Sequence, residues 1–153
     1  VSGDVGSGKT ETCRAVVREL EGEYHPGGVL SPRLTESGVT TGYDVLDLNS
    51  GKKRSFVRSD PPGEKVGRFF LRPDGLTFAT SAIVEAIGRN DPVFVDEIGR
   101  MELKGQGLAR ASEQLMDSET QGIYLVRSQF LSEFREAFDV IQYDEYRVTR
   151  DNG

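Results

Sequence analysis

The sequence feature that most constrains the fold is a phosphate-binding loop pattern at residues 3–10. The run Gly-Asp-Val-Gly-Ser-Gly-Lys-Thr fits Gly-x-x-x-x-Gly-Lys-Ser/Thr. Glycines let the backbone approach a polyphosphate closely, with successive N–H groups pointing inward. Lys9 would reach the β and γ phosphates, and Thr10 would place its hydroxyl on Mg²⁺. We therefore expect a nucleoside triphosphate to be bound by Gly3, Asp4, Val5, Gly6, Ser7, Gly8, Lys9, Thr10 and Glu11.

The segment after the loop predicts the helix that such a loop requires. Apolar residues recur there at helical spacing, at Cys13, Val16, Val17 and Leu20. The motif also requires a preceding strand, but only Val1 and Ser2 come before the loop. We therefore expect part of the first strand to be missing from this chain.

Composition indicates one acidic domain. A chain of 153 residues with 36% hydrophobic residues can bury one good core. Its formal net charge of -6 argues against nucleic acid or an anionic membrane as the main partner. The single cysteine excludes an internal disulfide and suits a reducing cytosol, and with a single histidine no His/Cys metal cluster is possible. We expect one domain over residues 1–153, cytoplasmic and monomeric, with Cys13 as a buried core thiol.

Further along the chain, strand and helix patterns alternate. Strands are predicted at 29–31, 93–95, 123–126 and around 140–143, with an extension of the last strand to Val148 left open. Helices are predicted around 76–87, 108–115 and 131–138. Residues 41–48 and 54–58 predict a hairpin inserted before this alternation resumes. The pattern favours an α/β fold of three layers, α/β/α, with a mostly parallel sheet that holds its ligand at the carboxyl ends of the strands.

A second acidic motif follows the strand at 93–95. Asp96 and Glu97 come directly after its apolar residues, as in a Walker B pattern. Taken alone, this would more often be a solvated acidic turn. Together with the phosphate loop, it predicts that Asp96 holds Mg²⁺ and that Glu97 orients or deprotonates the attacking water. Lys9 and Glu97 are thus the predicted catalytic residues, and Thr10 and Asp96 the predicted metal ligands.

The run Asp-Glu-Ile-Gly-Arg-Met-Glu-Leu at residues 96–103 resembles the Asp-Glu-Ile-Gly-x-Met-Glu-Leu signature of the small P-loop nucleoside-triphosphatase family. Weaker matches lie at 28–33, 42–45, 126–128 and 148–152. The resemblance implies a P-loop fold that slowly hydrolyses several NTPs to NDP and phosphate with Mg²⁺. It also implies phosphate and metal roles for Gly8, Lys9, Thr10 and Asp96, and a catalytic carboxylate at Glu97.

The sequence departs from this family pattern in two places. Glu11 stands where a second Thr is usual, and the chain ends at Gly153, where the last helix of the family continues. We therefore expect the end of that helix to be missing.

Two other functions fit the same motifs. One is a nucleotide or small-molecule kinase, in which Arg68 and Arg72 would clamp phosphate over an acceptor pocket. The other is a nucleotide-gated regulator in which slow hydrolysis times a binding event. The acidic pair after the strand favours activation of water, so we rank hydrolysis first. Four arginines are candidates to neutralise charge on the transferring phosphoryl group, and the sequence does not distinguish between them: Arg33, Arg68, Arg100 and Arg127.

Overall fold

A mixed β-sheet organises the computed structural model, which describes residues 1–150. The strands are β1 Ser2–Gly3, β2 Gly27–Leu30, β3 Arg33–Glu36, β4 Val39–Asp47, β5 Lys53–Arg58, β6 Glu64–Val66, β7 Phe69–Leu71, β8 Val93–Ile98, β9 Gly122–Arg127 and β10 Arg147–Val148. The helices are α1 Lys9–Leu20, α2 Pro73–Ala86, α3 Arg100–Leu103, α4 Ala109–Met116 and α5 Leu131–Ala137, with a 3₁₀ turn at Ser128–Phe130. Within the described range the strand order is β10-β1-β9-β8-β2-β4-β5-β7-β6, with β3 paired to β4.

One half of the sheet is parallel and contains the phosphate loop. β10, β1, β9, β8 and β2 run parallel to one another, and β2 is antiparallel to β4 on its other side. One strand, β9, lies between β1, which leads into the loop, and β8, which ends in the acidic motif. The carboxyl ends of these strands therefore meet at one edge of the sheet, and the predicted α/β fold is confirmed.

The other half of the sheet is an antiparallel extension, larger than the predicted hairpin. The β4–β5 hairpin is present, and β3, β6 and β7 add to it. β3 reads Arg-Leu-Thr-Glu and β6 reads Glu-Lys-Val. These strands are short and mostly polar, so they carry little of the apolar alternation by which a strand is recognised in sequence.

The sheet has a separate apolar core on each face, which makes three layers. On one face, α1 contributes Cys13 and Val17 to a cluster with Leu30, Phe94 and Leu125. On the other face, α2, α4 and α5 cover a larger cluster that includes Val29, Val93, Val95, Val126, Ile83, Leu115 and Phe134. Successive residues of β2, β8 and β9 alternate between these clusters, as side chains of a strand must.

The structure corrects two details of the sequence-based prediction. Val16 is 42% exposed, because only the Cys13 and Val17 side of α1 faces the sheet. The final strand lies at Arg147–Val148, the end of the predicted extension, and residues 140–143 are not part of it. The Val140 N–H bonds the Arg135 carbonyl and closes α5, while Ile141 is 85% exposed. An apolar run therefore leads away from a helix here instead of entering the sheet.

Within residues 1–150, no helix is long and apolar enough to cross a membrane. Burial raises the pKa of the Cys13 thiol to about 12, which suits a core residue rather than a nucleophile. Of the sequence match at 148–152, residues 151 and 152 lie outside the described residues, and so does Gly153.

Candidate functional site

The phosphate loop joins β1 to α1 through two left-handed glycines. Gly6 has φ 73° and Gly8, at the N-terminus of α1, has φ 98°. The Ser7 N–H bonds the Asp4 carbonyl at 3.0 Å. A Cβ on Gly3 would lie 2.4 Å from Ser7 Oγ, so glycine is needed where the strand meets the loop. The loop therefore has the left-handed glycines that the motif predicts, and its binding of phosphate stays a prediction.

Lys9 is buried beneath the loop, with 6% exposure. Its Nζ donates to the carbonyl oxygens of Gly3 at 3.0 Å and of Asp4 at 3.1 Å. The same atom lies 3.8 Å from Glu97 Oε2. The ammonium group is thus held inside the curve of the loop, next to the predicted catalytic carboxylate.

Asp96 is the buried centre of the site, with 2% exposure. Its Oδ2 accepts hydrogen bonds from Thr10 Oγ1 at 2.7 Å and from the Ser31 N–H at 2.8 Å. The Ser31 hydroxyl donates to the Asp96 carbonyl at 2.8 Å. Burial, and secondarily the charge of Glu97, raises the pKa of Asp96 to about 7, against the opposing hydrogen bonds. Asp96 therefore joins the loop helix to the end of β2.

Glu97 lies where the pairing of β8 with β9 shifts register, so it has no partner in β9. Its Oε1 accepts a hydrogen bond from Arg127 Nε at 2.9 Å. Arg127 ends β9, the strand between the loop strand and β8. Because Lys9 and Arg127 approach the two oxygens separately, the carboxylate is held facing the loop, with its side chain 28% exposed.

The remainder of the 96–103 motif braces this edge of the sheet. Glu102 Oε2 accepts from the Gly99 N–H at 3.0 Å, and Oε1 accepts from the Leu108 N–H at 3.2 Å. Glu102 is buried, and burial raises its pKa. This carboxyl group fixes the turn that follows Asp96 and Glu97, so its role is structural.

The four candidate arginines differ in position. Arg127 bonds Glu97, and Arg33 lies beside Gly6 of the loop. Arg68 lies over the Phe69 ring and Arg100 over the Phe130 ring. Arg33 and Arg127 are therefore the candidates that the structure brings to the phosphate loop.

Among the other predicted contacts, Asp4, Val5 and Glu11 are exposed, and Val5 is 53% exposed at the loop tip. The hydroxyl of Ser7 is buried and has no hydrogen-bond partner among the described residues.

Within residues 1–150 there is no group of three or more His, Cys, Asp or Glu side chains that could hold a metal. A cation here would therefore depend on few protein ligands.

Sequence reasoning missed the roles of Ser31 and Arg150. Ser31 follows the apolar strand β2. A small hydroxyl residue at the carboxyl end of a strand could have indicated a hydrogen bond to Asp96, which lies in the neighbouring strand β8. Arg150 lies close to Gly6, although the two are far apart in sequence. Only the pairing of β10 with β1 brings them together.

The raised pKa of Asp96 leads to a pH-dependent stability. In the unfolded chain an aspartate titrates near pH 4. Between about pH 4 and 7, the folded chain keeps a proton on Asp96 that the unfolded chain releases. The free energy of unfolding therefore falls as the pH rises through this range. Asp96→Asn should therefore stabilise the protein, relative to the parent, more at pH 8 than at pH 5. Urea unfolding of both proteins in EDTA measures this, and an equal difference at the two pH values would contradict it.

The family relationship emerges from comparison with known proteins. The family model described as NTPase matches residues 1–152. The chain is 35% identical to the nucleoside-triphosphatase THEP1 of Methanopyrus kandleri, over 99% of this chain and 86% of the relative. It is 33% identical to the nucleoside-triphosphatase THEP1 of Archaeoglobus fulgidus, over 98% of this chain and 91% of the relative.

Solved structures support the same fold. The crystal structure of THEP1 from Aquifex aeolicus matches with a TM-score of 0.76 at 19% identity, over 99% of this chain and 89% of that one. The solution structure of a human cancer-related nucleoside triphosphatase matches with a TM-score of 0.67 at 23% identity, over 90% and 82%. On the family model and the relatives from Methanopyrus kandleri and Archaeoglobus fulgidus, this chain belongs to the THEP1 nucleoside-triphosphatase family.

Proposed function

We propose that this chain hydrolyses nucleoside triphosphates to the diphosphate and inorganic phosphate. One observation carries the proposal beyond family membership: a carboxylate, Glu97, lies 3.8 Å from the Lys9 ammonium of the phosphate loop. A phosphate group held by that loop would therefore lie beside a base. Such a carboxylate can orient or deprotonate an attacking water while the loop and its lysine position the phosphate and stabilise charge.

Mg²⁺ is the metal that the site fits. Thr10 Oγ1 and Asp96 Oδ2 lie 2.7 Å apart at the start of the loop helix. Both are hard oxygen donors, and Mg²⁺ typically takes one or two protein ligands and completes its shell with phosphate and water. Thr10 and Asp96 would hold the ion. When bound, it would neutralise charge on the β and γ phosphates.

Other residues of the chain bind the phosphates and activate the attacking water. Backbone N–H groups of the loop and the Lys9 ammonium bind the phosphates. Glu97 accepts the proton of the attacking water, or orients that water, with the carboxylate held by Arg127 Nε. Removing the proton raises the nucleophilicity of the water oxygen, which bonds to the γ phosphorus as the bond to the β–γ bridging oxygen breaks.

The kinase alternative gains no support from the arginines proposed to serve it. Arg72 donates to backbone carbonyls of the turn at Asp60 and Pro62, and it pairs with the Asp60 carboxylate at 3.7 Å. Arg68 lies over Phe69. Both belong to the antiparallel half of the sheet, away from β1. We therefore keep hydrolysis as the single proposal.

The purified chain should release inorganic phosphate from NTPs in Mg²⁺, and EDTA should abolish turnover. The measurement is phosphate release from ATP, GTP, CTP and UTP, with products identified by ³¹P NMR. Unchanged turnover in EDTA, or recovery only with zinc, would contradict the magnesium site. Appearance of the γ phosphate on an added acceptor rather than in solution would contradict hydrolysis.

A further inference from the structure

Two guanidinium groups converge on the phosphate loop from outside it. A Cβ built on Gly6 would lie 3.4 Å from Arg33 Nη2, 3.6 Å from Arg33 Nη1 and 3.8 Å from Arg150 Nη2. Gly6 has no side chain, so both arginines can come close to the loop backbone. Arg33 opens β3, and Arg150 follows β10, which pairs with the loop strand β1. The loop thus has Lys9 beneath it and two arginines beside it.

Arg33 is held by its neighbours. Two residues before it, Ser31 makes two hydrogen bonds to Asp96, through its N–H and its hydroxyl, both at 2.8 Å. Its guanidinium carbon lies 5.9 Å from the centre of the Tyr43 ring. The backbone before Arg33 is therefore tied to the residue proposed to bind the metal, and its guanidinium lies near the Tyr43 ring. Such preorganisation is what makes a charged donor effective in a transition state.

Neither guanidinium pairs with a carboxylate among residues 1–150. The ion pairs of that range involve other cations: Arg127 and Lys9 with Glu97, Arg58 with Asp44 and Arg72 with Asp60. Two like charges next to one glycine repel each other, and an anion between them and the loop would relieve that repulsion. A planar guanidinium also matches the spacing of phosphate oxygens. The geometry therefore suits a polyphosphate.

We propose that Arg33 is a catalytic arginine that contacts the triphosphate in the loop and stabilises the charge developing on its transferred phosphoryl group, and that Arg150 is a binding contact for the same triphosphate. This inference rests on the proposed hydrolysis. Arg33 acts mainly in the transition state because it is fixed by the segment bound to Asp96. Both arginines are exposed, but Arg150 does not follow the segment bonded to Asp96, so we assign it mainly to nucleotide affinity.

The test compares Arg33→Ala, Arg33→Lys and Arg150→Ala with the parent. Arg33→Ala should lower kcat for ATP about 100-fold, the usual cost of losing one preorganised donor, and should change the Kd of a fluorescent ATP analogue by less than about 10-fold. Added guanidinium chloride, at a concentration that does not unfold the protein, should restore part of that kcat. Arg33→Lys should retain more activity than Arg33→Ala but less than the parent, because an ammonium lacks the planar fork. Arg150→Ala should weaken Kd with little change in kcat.

Controls separate this inference from the proposed function. Arg110→Ala removes an exposed arginine of α4 and should leave kcat and Kd unchanged. Guanidinium should not rescue Glu97→Gln. If the parent hydrolyses ATP and folded Arg33→Ala keeps the parental kcat, or loses only affinity, the catalytic assignment of Arg33 is overturned. A parent without hydrolysis would instead overturn the proposed function. Circular dichroism of each variant establishes that it is folded.

Discussion

Replacing Glu97 by glutamine should lower kcat for NTP hydrolysis by about 10²–10⁴, the usual worth of a general base. The amide keeps the shape of the side chain, and its oxygen can still accept the hydrogen bond that Arg127 Nε donates. It removes the basicity that water activation needs. Because one negative charge near the phosphates is also lost, nucleotide affinity should stay the same or increase. We therefore expect a protein that binds and does not turn over.

Single-turnover phosphate release and the Kd of a fluorescent ATP analogue in Mg²⁺ separate these two effects. Glu19→Gln is the matched control, since Glu19 is an exposed residue of α1. It should behave as the parent in both measurements. Parental phosphate release by Glu97→Gln would show that this carboxylate is not the base.

Lys9→Ala should weaken nucleotide binding by about 30-fold or more, from the roughly 2 kcal/mol or more that losing a buried charged partner costs. Lys9 is 6% exposed, and its Nζ bonds two carbonyl oxygens of the loop. Removal deletes the positive charge and also the bonds that hold the loop closed. Both changes disfavour a bound triphosphate.

Lys9→Met keeps the length of the side chain without its charge and should show a similar loss. Lys52→Ala is the control, because Lys52 is exposed in the β4–β5 turn. Isothermal titration with an ATP analogue in Mg²⁺ gives the affinities. Undiminished binding by a folded Lys9→Ala protein would show that the loop does not hold the phosphates.

Local sequence was sufficient to predict those parts of the site that follow directly from one strand or one motif. The phosphate loop has a fixed spacing, and the apolar run of β8 places Asp96 at its carboxyl end. The structure brings Thr10 Oγ1 within 2.7 Å of Asp96 Oδ2, and their role as metal ligands stays a prediction. The α/β class was predictable for the same reason, since buried parallel strands are continuous apolar runs.

Contacts made across the sheet could not be read from the sequence. Arg33 and Arg150 approach Gly6 because the start of β3 and the end of β10 lie near the loop, and local propensity does not indicate that position. The start of the final strand was misplaced because Val140 and Ile141 are apolar, yet their segment closes α5 instead of joining the sheet. In each case tertiary pairing, rather than local propensity, determines the outcome.

The two-residue strand β1 has a consequence for how the protein reaches its active form. Its Ser2 pairs with Val126 of β9 on one side and with Arg147 of β10 on the other, both distant in sequence. The strands β3 to β7, by contrast, pair mainly with near neighbours along the chain. Short-range contacts cost less loop-closure entropy and form sooner. We therefore expect the antiparallel half to assemble early and the phosphate loop to take its shape only when distant segments have met, so that nucleotide binding is acquired late in folding.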